Sequence, residues 1–264
     1  MQSTGIPLLK FFGHYRPEQI STSLCRDYAA ARYRDGVGQG TVWTELGHLS
    51  TVLSSAKKRG LTHFKPEIWR PSKPAPKDRY FTKAEIARLL AVGGTPHHVK
   101  LAMLLMLSTA GRVGAILDLT WDRVDFDRNQ INLKTDGAAT RKGRAVVPMN
   151  DGLRAELLFA RNATISEYVV EWAGKQVKSV RKGLETVGRV SGVEGVTAHV
   201  FRHTAAVHMA EAGISMSEIS QYLGHSNSMI TERVYARYSP THLLKAAQVL
   251  DFTRIEKDHC DGEQ

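Results

Sequence analysis

Residues 197–235, TAHVFRHTAAVHMAEAGISMSEISQYLGHSNSMITERVY, decide how this chain is read. The stretch carries helical patterns with His199, Arg202, His225 and Tyr235 spaced along them. His199 and Arg202 are three residues apart, so at the start of a helix their side chains share a face and can reach one anion. Gly224 signals a turn before His225, and Tyr235 lies ten residues further on, near enough to return to the same pocket after one short helix. Histidine, arginine and tyrosine gathered in this way suit phosphate chemistry. The rest of the chain has to say which phosphate.

Working outward, 264 residues suffice for two domains, the larger with its own apolar core. Lys and Arg (36) outnumber Asp and Glu (26), and the formal net charge of +10 favours a polyanionic partner. Cys25 and Cys260 stand far apart with no Cys/His cluster near either. This argues against a zinc module and a disulfide framework and fits a reducing, cytoplasmic setting. No stretch approaches the run of about 18 apolar residues that a membrane helix needs, and the N-terminus has no signal-peptide pattern, so neither secretion nor a membrane partner is expected.

Residues 20–34 (ISTSLCRDYAAARYR) predict a helix capped at Ser21 or Thr22, with Leu24, Tyr28 and Ala31 on its apolar face. After DGVGQG, residues 41–60 predict a second helix with a stripe of Val42, Leu46, Leu49, Val52, Leu53 and Ala56, ended by Gly60. Arg26, Arg32, Arg34, Lys57, Lys58 and Arg59 each read as solvated surface. WRPSKPAPKDRY (69–80) holds three prolines and four basic residues without periodicity and is the best domain boundary. A basic joint between two basic domains suits a clamp around a duplex.

Beyond it, Thr82 and Glu85 have the spacing of a capping box. VKLAMLLMLSTAG (99–111) is too apolar for exposure and predicts a core helix ended by Gly111. Arg112 follows at once; a charge delivered there must be paired or hydrated, and Asp118 and Asp122 are the nearby carboxylates. Residues 131–134 and 145–148 predict a hairpin whose long basic turn carries Arg141, Lys142 and Arg144. A helix at 151–163, a strand at 166–172 and a basic helix at 175–192 follow, then helices at 199–212, 215–223 and near 228–232. Ser239, with Pro240 at the first helical position, predicts a last amphipathic helix before a polar tail.

These parts can assemble around one phosphodiester. Arg112 and Arg202 can each pair with nonbridging oxygens and stabilise the charge of a pentacoordinate transition state. Tyr235 is the evident nucleophile, and with an ordinary pKa near 10 it needs a base or a strongly positive pocket. A histidine can move protons at neutral pH, and a lysine can protonate the leaving oxygen. The arginines leave no task that requires a metal.

Four boxes, TAGRV…LDLTWDRVDF with Arg112, HVFRHTAA with His199 and Arg202, LGHS with His225 and TERVYARYSP with Tyr235, resemble in order and spacing those of the tyrosine recombinases, the phage integrase family. The resemblance covers nearly the whole chain. It implies a mostly α (α+β) fold: a trimmed helical core-binding domain (1–70), a linker (71–80), and a mixed α/β catalytic domain with a small sheet (81–252). The last helix of that domain, about 239–250, would pack on a neighbouring protomer, and a polar tail (253–264) follows, with no arm-binding domain. It further implies two transesterifications at a specific site in double-stranded DNA. Tyr235 would form a 3′-phosphotyrosyl intermediate, and a 5′-hydroxyl of the partner duplex would displace it, within a homotetramer on two duplexes and with an accessory DNA-bending protein as an optional partner.

In that scheme Arg112 and Arg202 hold the phosphate, His199 is the general acid or base, and His225 hydrogen-bonds the phosphate. The hairpin lysine that protonates the 5′ oxygen is Lys142, with Lys134 as second choice. No cofactor is implied. The chain departs from the family at Ala115, where an acidic residue commonly orients the first arginine; Asp118 or Asp122 is the expected substitute. Tyr222, Tyr238, His203 and His208 read as packing or structural residues. Competing readings are a DNA-binding relative with weakened catalysis, a type IB topoisomerase-like nicking-closing enzyme and a basic helical adaptor. The complete set of five residues and the last helix favour a recombinase, active in DNA integration and tied to a mobile element.

Overall fold

The computed structural model describes residues 2–75, 78–134, 145–225, 227–240 and 243–250. The chain divides into two compact units, Met1–Lys77 and Asp78–Gln264.

The first unit contains helices α1 (Gln2–Phe12), α2 (Thr22–Arg34) and α3 (Gln39–Lys58). Ser21 is the cap of α2, its Oγ accepting from Leu24 N at 3.2 Å. α1 lies outside the predicted helices because Gly5 and Pro7 weigh against it locally; burial of Leu8 and Phe12 beside Tyr28 and Leu46 overrides that propensity. The stripe on α3 is buried at Val42, Leu46, Leu49 and Leu53, whereas Val52 is 54% exposed, one step round the helix from the packed row. Arg32 is not the surface charge expected. Its Nε and Nη2 donate to Glu45 Oε2 and Oε1 at 3.1 and 2.9 Å, and Tyr28 Oη donates to Oε2 at 2.8 Å. Glu45 is only 2% exposed, so a buried carboxylate on α3 is met by a guanidinium fork and a phenol from α2. The start of the proline-rich stretch is held along α3: the Arg70 guanidinium lies 4.6 Å from the Trp43 ring centre, and Gln39 Nε2 donates to Ser72 O at 2.9 Å.

The second unit opens with α4 (Lys83–Leu90), where the capping box forms: Glu85 N donates to Thr82 Oγ1 at 3.2 Å and Thr82 N to Glu85 Oε2 at 2.9 Å. α5 (His97–Thr109) is the buried axis, with Leu101, Ala102, Met103, Leu105 and Met106 almost wholly covered. Its end differs from the expectation. Ala110, not Gly111, takes the left-handed turn, at φ 48°. Gly111 serves another need, since a Cβ there would lie 2.7 Å from Ile116 Cδ1 and 2.9 Å from Thr109 Oγ1. Arg112 thereby becomes the N-cap residue of α6 (Val113–Leu117).

An antiparallel sheet in the order β1 (Val124–Asp125), β2 (Gln130–Asn132), β3 (Val146–Pro148) follows, with Ile131 paired to both Val124 and Val147. The predicted hairpin thus gains a third strand, and its turn, with Arg141, Lys142 and Arg144, lies outside the described residues. After α7 (Asp151–Ala163), the expected strand at 166–172 shrinks to β4 (Glu171–Trp172), paired with β5 (Lys175–Gln176). Val169 and Val170 are apolar because they are buried in the core, not because they alternate across a sheet. β5 takes the first residues of the expected basic helix and leaves α8 (Arg181–Ser191). α9 (Ala198–Glu211), α10 (Met216–Leu223) and α11 (Ser228–Tyr235) follow the opening stretch closely. A 3₁₀ turn at Ala236–Tyr238 follows α11, and α12 (Leu244–Val249) starts later than expected, so Pro240 is not its first residue. Among the described residues no helix is long and apolar enough to cross a membrane.

Candidate active site

Packing of α9 on α5 carries Arg202, 8% exposed, to the end of α5. Gly224, at φ 62°, closes α10 in a conformation that a Cβ would disfavour, and His225 N donates back to Ser220 O at 2.9 Å. His225 is therefore fixed at the turn. The buried face of α11 contributes Thr231 and, four residues later, Tyr235.

Arg202 joins these elements. Its Nη1 donates to Ala110 O at 2.5 Å, and its Nη2 to Leu223 O at 2.9 Å and to His225 Nε2 at 3.1 Å. Arginine only donates, so Nε2 is the accepting nitrogen and Nδ1 carries the hydrogen, which it donates to Thr231 Oγ1 at 2.8 Å. His225 is a neutral imidazole held in one tautomer. Burial first, then the charges of Arg202 and Arg112, push its pKa down, in keeping with that state. Burial and the positive charge of Arg112 likewise lower Arg202 to about 10. Arg112, Ala115, Arg202, Tyr222 and Leu223 line one narrow cleft. Two guanidiniums converge there, and the described acceptors of Arg202 are neutral, so the cleft would attract an entering oxyanion.

Tyr235 is 7% exposed, and burial pushes its phenol up, although the charge of Arg202 opposes the shift. Its hydroxyl meets His203 Nδ1 at 3.3 Å, with the ring centres 5.3 Å apart and inclined by 38°. From the sequence His203 points away from the site, since it sits about 100° round α9 from Arg202. The turn from α10 into α11 brings Tyr235 to that second face. The spacing of His203 one turn after His199 was the available signal.

The structure gathers Arg112, Arg202, His225 and Tyr235. His199 lies on the exposed first turn of α9, lining a neighbouring cavity of about 480 Å³ with Val113, Leu117 and Lys178. Lys142 falls outside the described residues, and Lys134 is exposed just after β2. Ala115 is buried in the cleft wall; Asp118 Oδ1 accepts from Gln176 Nε2 at 3.1 Å, and Asp122 is exposed. Tyr222 Oη donates to Ser108 O at 2.6 Å, His208 Nε2 donates to Phe81 O at 2.9 Å, and Tyr238 packs edge-on to Tyr80 at 5.6 Å. Among the described residues no group of three or more His, Cys, Asp or Glu side chains is placed to hold a metal.

A sequence profile of the phage integrase family matches residues 79–242. The tyrosine recombinase XerA of Thermococcus kodakarensis is 32% identical over 188 residues, which are 67% of this chain and 64% of that protein. The tyrosine recombinase XerC of Corynebacterium glutamicum is 27% identical over 150 residues, 54% of this chain and 47% of that one. The chain thus spans less than two thirds of the length of these relatives. Among solved structures, the Tn1549 transposon integrase in complex with a circular intermediate DNA superposes with a TM-score of 0.77 at 16% identity, over 94% of this chain and 93% of that one. The lambda integrase tetramer bound to a Holliday junction gives 0.70 at 16% identity, over 90% and 70%. At such identity the likeness is one of fold, the mostly helical architecture with a small sheet expected from the sequence. The matched residues take in the whole cleft and Tyr235, and the chain belongs to the phage integrase family of tyrosine recombinases.

Proposed function

We propose that the protein is a site-specific DNA recombinase that cleaves and rejoins DNA through a 3′-phosphotyrosyl link. One observation carries the reading: Arg202 is buried on neutral acceptors, beside the charge of Arg112 and within the field of the Tyr235 hydroxyl. A DNA phosphate would take the place between the guanidiniums. Its charge would raise the pKa of His225, so that Nε2 gains a proton and donates to the phosphate while Nδ1 stays on Thr231. Tyr235 Oη attacks phosphorus, the bond to the 5′ oxygen breaks, and a 5′-hydroxyl of a second duplex later attacks the phosphotyrosine. The phosphodiester is conserved, so no nucleotide cofactor is needed. Lys142 is the proposed acid for the 5′ oxygen, and His199, at the exposed helix start, the acid–base group on the phosphate side.

The unit Met1–Lys77 would serve as the core-binding domain and the unit Asp78–Gln264 as the catalytic one, with α12 meeting a neighbouring protomer. The lambda integrase tetramer on a Holliday junction supports four protomers on two duplexes as the working assembly. The net charge of +10 suits affinity dominated by phosphate contacts, in the cytoplasm and in the service of DNA integration.

The test uses a pool of randomised duplexes, each nicked at one fixed position so that a short cleaved fragment diffuses away and the adduct is trapped. Wild-type protein should give detergent-stable protein–DNA adducts, and Tyr235→Phe none. No adduct from wild type, or as much from the variant, refutes the reading.

A further inference from the structure

The hydroxyl of Tyr235 makes its hydrogen bond not to the phosphate cluster but to His203 Nδ1, at 3.3 Å. His203 is 7% exposed, and its Nε2 is buried without a hydrogen-bond partner among the described residues. An unpartnered buried polar atom costs stability, so the one hydrogen bond that the described residues give this ring, to the phenol, is the feature that asks for a role. Here one nitrogen faces the nucleophile and the other is held dry. The groups around the ring are Tyr235 from α11, Tyr238 from the 3₁₀ turn at 6.4 Å between ring centres, His199 one turn earlier on α9, and Asp78 and Arg237. Burial, helped by His199 and Arg237 and opposed by Asp78, disfavours the imidazolium. The resting ring is therefore neutral and can offer a lone pair to the phenol, with its hydrogen on Nε2.

We infer that His203 is a further catalytic residue, which holds the Tyr235 hydroxyl in the resting pocket and accepts its proton on Nδ1 as the oxygen attacks phosphorus. This rests on the recombinase reading. In cleavage the Oη–H bond breaks and Nδ1–H forms, while Oη–P forms and the bond from phosphorus to the 5′ oxygen breaks; that oxygen takes its proton from the lysine of the proposed mechanism. In rejoining, the incoming 5′-hydroxyl returns a proton to the lysine, and the His203 imidazolium returns one to Oη as the phosphotyrosine bond breaks. His199, exposed one turn earlier on the same helix, makes no such hydrogen bond to the phenol among the described residues.

Two variants test this on a nicked duplex recovered from the randomised pool, with adduct formation, DNA affinity and melting measured together. His203→Asn places an amide oxygen near the position of Nδ1 and keeps an acceptor for the phenol, but cannot take up the proton. His203→Ala leaves room for a small imidazole. Both should form adduct about 100-fold more slowly than wild type with DNA affinity unchanged. Added imidazoles of similar size should restore His203→Ala in order of their basicity. Wild-type rates in His203→Asn, or a rescue indifferent to basicity, overturn the inference; His203→Asn alone decides if His203→Ala does not fold. Adduct formation by Tyr235→Phe in the same assay would instead sink the recombinase reading.

Discussion

Thr231→Val removes one oxygen from the centre of the site and leaves its shape. Thr231 is fully buried, and its hydroxyl accepts from His225 Nδ1 at 2.8 Å. Without it the ring has two choices. It can bury an unpaired Nδ1–H, at about 1–3 kcal/mol, or turn the hydrogen to Nε2, which then faces the Arg202 guanidinium and forfeits the 3.1 Å bond. Loss of the buried threonine hydroxyl recovers part of that cost, so unfolding free energy should fall by about 1–2 kcal/mol with the urea slope unchanged. The same disorientation of His225 acts on the transition state, where about 1.4 kcal/mol is a factor of ten. Adduct formation should slow by about tenfold or more. Paired urea melts and adduct kinetics decide: a variant equal to wild type in both would mean that the Thr231–His225–Arg202 chain does not order the site.

Three further outcomes follow from the same contacts. Glu45→Gln takes the buried carboxylate from half-buried Arg32, which keeps Asp35 at 3.2 Å, and should cost about 1–3 kcal/mol, read as faster hydrogen exchange in α2 and α3; exchange at the wild-type rate would reject the contribution of the pair. Gly111→Ala forces a methyl into Ile116 and Leu133 directly before Arg112, and should cost about 1–3 kcal/mol in a urea melt and slow adduct formation; an unchanged melt would show that the cleft wall yields. His98, His203 and His225 all have lowered folded pKa values, each chiefly through burial, so the unfolded chain takes up protons first as pH falls. Their stabilisation is complete above about pH 6.5 and is lost as pH drops through the lowered folded values. Glu85, held near 2 by hydrogen bonds from Arg79 and Thr82 N, adds a second loss below about 4.5. Urea midpoints that stay flat from pH 8 to 5 would contradict the first phase.

Helix ends were legible where local chemistry marks them: Thr82 with Glu85 opens α4, and Gly224 closes α10. The two arginines, His225 and Tyr235 could be picked out because they recur in ordered boxes. What escaped depends on residues distant in sequence. The contact between His203 and Tyr235 spans 32 positions, and the pairing of Arg32 with Glu45 joins two helices whose surface patterns look ordinary. α1 needed the other two helices before its apolar face had anything to cover. Gly111 was read as a turn residue, yet its lack of a side chain serves packing while Ala110 makes the turn.

The central claim is that one phenol becomes joined to DNA. Trapped adduct should be digested with protease and nuclease, and the modified peptide located by mass spectrometry. The account predicts a 3′-linked nucleotide phosphate on Tyr235, within the α11 peptide SMITERVY, and an unmodified Tyr238. A nucleotide on Tyr238 or on any other residue, or an adduct that persists in Tyr235→Phe, would contradict it.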